Sequence, residues 1–249
     1  MISAMIPRQE PLAGPAILFA SGGARGHTDD NTIESFHLAV RLGATGIESE
    51  VQATADGDPV LRRDPRLGGL RRRRVAETAT SDLPDDIVTL ARFYDEVGPD
   101  LELLLHVHTT AVVEEVLALA TRHRALDRLW LAASDRPSLQ AWRERSELIR
   151  LVDTTPLADM AVGAERHAAG LRQDRIDAML LPHADWTGGR TALFHRFGRR
   201  CIGSAAHHER MIVGLLHIGV DGVVSSYPDR LVDAAAAIAH PDAPPFIDG

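Results

Sequence analysis

Short apolar runs alternate along this chain with longer segments whose apolar residues recur at a spacing of roughly 3.6. AILFA and LELLLHV read as buried strands, while AVVEEVLALA and MIVGLLHIGV read as helices with one apolar face. The pattern predicts strands at 16–20, 45–51, 101–108, 128–133, 149–153, 177–181, 200–204 and 222–225. Helices are predicted at 31–42, 85–97, 110–124, 137–145, 157–171, 190–199, 208–218 and 229–239. Eight strand–helix pairs in 249 residues point to a closed (β/α)8 barrel of the α/β class. An open doubly wound sheet is the alternative, and it lacks its Gly-rich dinucleotide turn after strand one. No composition break divides the chain. The expectation is a single domain over 1–249, with an N-terminal extension at 1–14 and a Pro-rich C-terminal tail at 241–249.

A barrel of this kind carries its chemistry where the strands end. That rule selects Ser21, Glu48, Glu50, His106, His108, Asp153, His183, Ser204 and Ser226. Charged and imidazole side chains on otherwise apolar strands are costly unless they meet a partner, a metal or a ligand. Glu48 and Glu50 are two residues apart and share one strand face, where two carboxylates repel each other. A divalent cation relieves that repulsion, and so does an arginine such as Arg63. His106 and His108 share a face in the same way. The four together make a nitrogen–oxygen set that suits Zn²⁺, Mn²⁺ or Fe²⁺ better than Mg²⁺, although such histidines also occur as ordinary core residues. His183 and the pair His207-His208 fall just beyond strands, where surface or capping roles compete with a site role.

Composition narrows the chemistry. All 27 basic residues are arginine, so neither a lysine Schiff base nor a P-loop lysine is available. A net charge of −8 speaks against nucleic acid as a partner. No apolar run reaches the roughly 18 residues of a membrane span, and MISAMIPRQEPLAG does not read as a secretory signal, so a cytoplasmic location is expected. Cys201 alone cannot form an internal disulfide and is expected as a small buried hydrophobe. The stretch 62–74 carries seven arginines, whose forks suit phosphate groups. A solvated loop paired with Asp82, Asp85 and Asp86 is the competing expectation, and contact with an anionic lipid surface a lesser one. The loop Gly22 to His27 can hold an anion on its N–H groups, or serve as a turn into a helix capped by Asp29 or, preferably, Asp30. Ser21 lacks the G-x-S-x-G surroundings of a serine nucleophile.

Two stretches carry a family pattern: FASGGARGHTDDNTIESFHLAVRLGATGIESEVQATADGDPVLRRDP and HIGVDGVVSSYPDRLVD. Together they resemble the glycerophosphodiester phosphodiesterase family, a TIM barrel of the phospholipase C-like (PLC-like) phosphodiesterase type, with a short arginine-rich insertion after strand two. The resemblance departs at the chemistry. Ser21, Gly22 and Gly23 stand where the family has His-Arg-Gly, and Arg63-Asp64 stands for its second catalytic His-Asp pair. Asp30 replaces a Glu, Glu48-x-Glu50 replaces the Glu-x-Asp metal pair, and His106-x-His108 replaces Glu-x-Lys. Ser204 aligns with a Trp, and Ser225-Ser226 with Thr-Asp. The resemblance therefore implies a divergent member acting on a phosphate-containing small molecule without the usual two-histidine hydrolysis. Glu48, Glu50 and His106 are the expected ligands of a divalent metal (Mg, Mn, Ca or Zn), and no nucleotide cofactor is expected. Ser21, Arg25, Arg62 and Arg63 are the expected substrate-binding residues, with Arg63 and His108 or His183 as the catalytic groups. Elimination, cyclisation or isomerisation fit the same arrangement. A barrel that binds a phosphoester or a protein partner without turnover is the alternative, conventional glycerophosphodiester hydrolysis is a third reading, and self-association is compatible with each.

Overall fold

The computed structural model describes residues 8–68, 73–161 and 163–239. Strands form where apolar residues run continuously, as parallel strands covered on both faces require. They are β1 (Ile17–Ser21), β2 (Gly46–Ala53), β3 (Pro59–Leu61), β4 (Glu102–Val107), β5 (Leu129–Ala133), β6 (Arg150–Asp153), β7 (Ala178–Pro182), β8 (Arg200–Ser204) and β9 (Gly222–Ser225). All but β3 are parallel, in the order β1-β2-β4-β5-β6-β7-β8-β9, and β9 closes onto β1. The eight parallel strands thus make the expected (β/α)8 barrel. The helices α1 (Ile33–Arg41), α2 (Leu90–Glu96), α3 (Val113–Arg122), α4 (Arg136–Arg143), α5 (Gly163–Gln173), α6 (Gly188–Arg196), α7 (Glu209–His217) and α8 (Pro228–Ala239) intervene in turn.

Strand alternation divides the core in two. Phe19, Leu104, Trp130, Val152, Ala178, Leu180, Ile202 and Val224 point inward and fill the middle of the barrel. The opposite faces, including Ile47, Leu103, Leu105 and Leu131, pack under the helices with Phe36, Phe93 and Leu139. Gly46 is where the large Phe19 ring fits: a Cβ there would lie 2.6 Å from it. Above this apolar plug the inward positions turn polar, and this change creates the mouth.

Several local expectations are corrected. β3 was not foreseen; it returns antiparallel on β2, with Val51 opposite Leu61 and Gly57 at φ +90 in the turn. A strand of three residues is too short to display a period of two. The first helix is capped by Thr32, whose side chain accepts from Ser35 N at 3.1 Å, and not by Asp30. Asn31 sits at φ +57 just before it. The helix expected from 85 starts at Leu90, capped by Thr89, and the one expected from 157 starts at Gly163 after a 3-10 turn at Leu157–Asp159. Within the arginine-rich insertion, Arg71 and Arg72 lie outside the described residues, as do residues 1–7 of the extension and the whole 241–249 tail.

Candidate active site at the barrel mouth

β1, β2 and β4 bring five of the expected residues together. Ser21 is buried at the end of β1, in register with Glu48. Glu48 faces Leu104 in register and Glu50 faces His106, yet each carboxylate meets the histidine two residues further along the chain, His106 on β4 and His108 just past its end. Strand tilt in a closed barrel causes that offset. Glu48 Oε1 lies 3.0 Å from His106 Nε2, and Glu50 Oε2 lies 3.0 Å from His108 Nε2. Arg63 leans over them, its Nη2 donating to Ser21 Oγ at 3.2 Å and its Nε 3.8 Å from Glu50 Oε1.

Burial pushes the Glu48 carboxyl up, but the hydrogen bond and charge of His106, helped by Ser21 and Arg63, outweigh it and hold the acid below its ordinary range. For His106, burial opposes protonation, while the hydrogen bond and charge of Glu48, and the charge of Glu50, prevail and raise its pKa. This is a buried ion pair with one loose end: Glu48 Oε2 is buried without a hydrogen bond.

The glycine-rich loop after β1 does not offer a backbone cradle. The N–H groups of Gly22, Gly23, Ala24, Gly26, His27 and Thr28 all donate to backbone carbonyls. Gly23, at φ +79, is required there, because a Cβ would lie 2.5 Å from Ser35 Oγ. What the loop presents instead is Arg25, whose Nε and Nη2 donate to Ser226 Oγ at 3.2 and 2.7 Å. Arg62 turns away from the mouth and donates to the carbonyls of Asp64 and Arg66 at 2.9 and 3.0 Å. Among the described residues, none of Asp82, Asp85 and Asp86 forms an ion pair with the arginine-rich segment.

Across the barrel, His183 follows β7, and its Nδ1 is buried without a partner. His207 and His208 follow β8, and Ser226 follows β9. Ser204 Oγ donates to Leu181 O at 3.3 Å. Asp153 is closed off: it accepts from Thr155 N and Oγ and pairs with His167 Nε2 at 2.7 Å. Tyr227 and Arg230, not among the predicted residues, join this side from the start of the last helix. Strand assignment alone could have suggested Arg230, since the first turn of a helix leaving a strand end lies at mouth level.

Among the described residues, the group of three ligand-type side chains with donor atoms within 4.8 Å of one another is His195, Cys201 and Asp221, at the other end of the barrel. Glu48, Glu50 and His106 are engaged as members of two separate pairs rather than as one such set. Cys201 is fully buried, and burial together with the Asp221 charge pushes its thiol well above the ordinary range. No helix among the described residues is long and apolar enough to cross a membrane.

A model of the Glycerophosphoryl diester phosphodiesterase family matches residues 22–91, which hold Glu48, Glu50 and Arg63. The chain is 24% identical over 250 residues to the glycerophosphodiester phosphodiesterase of Bacillus altitudinis, spanning 86% of this chain and 96% of that one. The glycerophosphodiester phosphodiesterase of Thermotoga maritima matches in structure with a TM-score of 0.77 at 17% identity, over 88% of this chain and 98% of that one. A phosphodiesterase of Oleispira antarctica, solved with the product sn-glycerol-3-phosphate, matches with a TM-score of 0.77 at 18% identity, over 89% and 97% of the two chains. Motif region, relatives and barrel agree in their direction: this chain is similar to the glycerophosphoryl diester phosphodiesterase family.

Proposed function

We propose that the mouth acts on a phosphate-containing small molecule as a divergent, metal-assisted phosphodiesterase working in the cytoplasm. The observation that carries this reading is the buried, unpartnered Glu48 Oε2 beside a second carboxylate and two histidines. A buried carboxylate oxygen without a donor is costly, and a cation satisfies it. The donor set suits such an ion: Glu48 and Glu50 supply oxygens, and His106 supplies nitrogen once it releases Glu48. When bound, the ion supplies charge that polarises a phosphoryl oxygen.

The rest falls to the chain's own residues. Arg63, tied to Ser21 at 3.2 Å, presents its guanidinium to the phosphate beside the carboxylates. His108, more than half exposed and oriented by Glu50, takes the proton of the attacking water or substrate hydroxyl. His183, on the other side, returns a proton to the leaving oxygen as the P–O bond breaks. Arg25 contributes charge from the loop after β1, and Arg62 holds that side's insertion in shape.

A second reading, a barrel that binds a phosphoester without turnover, is favoured by the Ser21–Arg63 contact itself. Neither group exchanges protons readily near neutral pH. Calorimetric titration of metal-stripped protein with Mn²⁺, Zn²⁺, Mg²⁺ and Ca²⁺ separates these readings when paired with a screen of phosphodiesters. Stoichiometric binding that Glu48→Ala abolishes, with metal-dependent turnover, is the expected result. Binding without turnover of any diester favours the second reading, and no binding by any of the four ions overturns the metal-assisted one.

A further inference from the structure

The half of the mouth formed by β7, β8, β9 and the loop after β1 carries two arginines, Arg25 and Arg230, that form no ion pair among the described residues. Arg25 directs two nitrogens of its fork at one neutral hydroxyl, Ser226 Oγ, at 3.2 and 2.7 Å. Arg230 Nη1 donates to the carbonyl of His207 at 2.5 Å, and its guanidinium carbon lies 4.0 Å from the centroid of the Tyr227 ring. Both arginines are thus oriented, yet among the described residues neither forms an ion pair. The carboxylate that could serve them, Asp229, is taken by His27 at 2.9 Å. Three histidines complete the cluster. His207 Nδ1 is 3.5 Å from Ser226 N, His208 is exposed beside it, and His183 holds a buried ring nitrogen without a partner.

We propose that Arg25, Arg230, His207 and His208, with His183 at their edge, form an anion subsite that receives a carboxylate or phosphate group of the ligand. In the strand circle β8 lies opposite β4, so this subsite faces the Glu48–His106 pair across the mouth. A ligand that reaches both sides is a phosphoester carrying a second anionic group. The inference deepens the phosphoester reading and rests on it for that identification; the subsite itself stands on the arginine geometry. Fixed, forked guanidiniums suit bidentate oxyanions, and their orientation before binding lowers the ordering cost. The electrostatics agree: burial first, then the charges of Arg25, His208, His183 and Arg230, depress protonation of His207, as an unneutralised cationic cluster must.

The test uses the full chain in chelator, with inorganic phosphate as probe and histidine Cε1–H resonances as readout, so metal binding and turnover do not enter. Phosphate is expected to shift the His207 resonance saturably and to raise its titration midpoint. Arg25→Gln and Arg230→Gln should each weaken that response about tenfold, and Arg230→Lys should recover part of it. Acetate run in parallel distinguishes the two ligand chemistries: acetate saturating at lower concentration assigns the subsite to a carboxylate, the reverse to a phosphate. An unchanged affinity in both glutamine variants overturns the proposal, provided their thermal unfolding matches the parent. So does a phosphate response confined to His106 and His108. If the subsite responds while metal titrations stay flat, the anion site holds and the metal-assisted phosphodiesterase reading falls alone.

Discussion

The two ends of the barrel are built from similar residues and differ in how fully those residues are matched. At the N-terminal ends of the strands, buried Asp221 accepts from Leu12 N, Cys201 N and His195 Nε2 at 2.6, 2.7 and 2.8 Å. Asp177 accepts from Leu151 N and Arg143 Nη2, and Glu102 from Trp130 Nε1 and Arg150 Nη1. Arg150 and Arg200 also lie over the Trp130 ring, 5.0 and 5.4 Å from its centroid. At the mouth, Glu48 Oε2 and His183 Nδ1 are buried and unmatched, and Arg25 and Arg230 hold neutral partners. Buried polar groups are nearly always satisfied in folded proteins; of the three buried side-chain atoms without a partner among the described residues, Glu48 Oε2 and His183 Nδ1 lie at the mouth and Tyr94 Oη lies on α2.

The largest expected effect falls on the matched end. Asp221→Ala leaves three donors facing a void and should cost about 3–5 kcal/mol in urea unfolding. Because His195, Cys201 and Asp221 also have ligand-like spacing, the same experiment sharpens the contrast. In Glu48→Ala protein, whose mouth no longer holds the proposed ion, a chelator should leave the unfolding midpoint unchanged if these groups are only a hydrogen-bonded clasp. A midpoint lowered by chelator would break the comparison, because the lower end would then hold a metal.

Arg63→Gln comes next and reverses the pattern. Its side chain is 42% exposed and gives one hydrogen bond to Ser21, so stability should move by no more than about 0.5 kcal/mol. Binding of a phosphoester at the mouth should weaken by about tenfold or more, as expected for loss of a charged hydrogen-bond donor. Affinity and unfolding measured on one preparation check both halves of this expectation. A large stability loss would place Arg63 with the structural ion pairs of the lower end.

The contrast also explains what the amino-acid sequence reveals. The barrel strands are legible because parallel strands buried on both faces read as unbroken apolar runs, as in LELLLHV. β3 is not, since Pro59–Leu61 is held by pairing to β2 and by nothing intrinsic to its pattern. Glu48, Glu50, His106 and His108 are legible as a group, because a period of two aligns them on one face. Which carboxylate meets which histidine is not, because strand tilt sets that offset. Arg25 is expected from the loop after β1, but its pairing with Ser226 is not legible, and Arg230 escapes because it leaves from a helix start, where no period predicts side-chain direction. Asp153 looked like a mouth residue by position and is instead closed off by Thr155 and His167, a partner 14 residues away.

A smaller effect, about 1 kcal/mol, is expected for Glu48→Gln in metal-free protein, and its pH dependence carries the information. Folded Glu48 titrates below its ordinary 4.5, so its contribution is present above that value and is lost as pH falls through the folded pKa. Folded His106 titrates above 6.5, so its contribution is present below that value and is lost as pH rises through the folded pKa. The stability gap between parent and variant should therefore be widest between pH 4.5 and 6.5 and narrow on either side. Unfolding curves across that range decide it, and a gap independent of pH would mean that the pair is not ionised as a unit.

Arg62→Gln should do least, and for that reason it tests the contrast most finely. Arg62 and Arg63 are neighbours in one arginine-rich stretch, and their types and spacing alone assign both to phosphate. The fold separates them. Arg63 reaches the mouth, while Arg62, itself half-buried, closes its own loop through exposed hydrogen bonds to the carbonyls of Asp64 and Arg66. Losing those exposed contacts should cost no more than about 0.5 kcal/mol. Phosphoester affinity should stay within a factor of about two of the parent, since one surface charge outside the site adds only screened attraction. Titrating one phosphoester against the two glutamine variants side by side gives the answer. Equal losses would mean that the insertion acts through its total charge, and unequal losses that it acts through the single guanidinium hydrogen-bonded to Ser21.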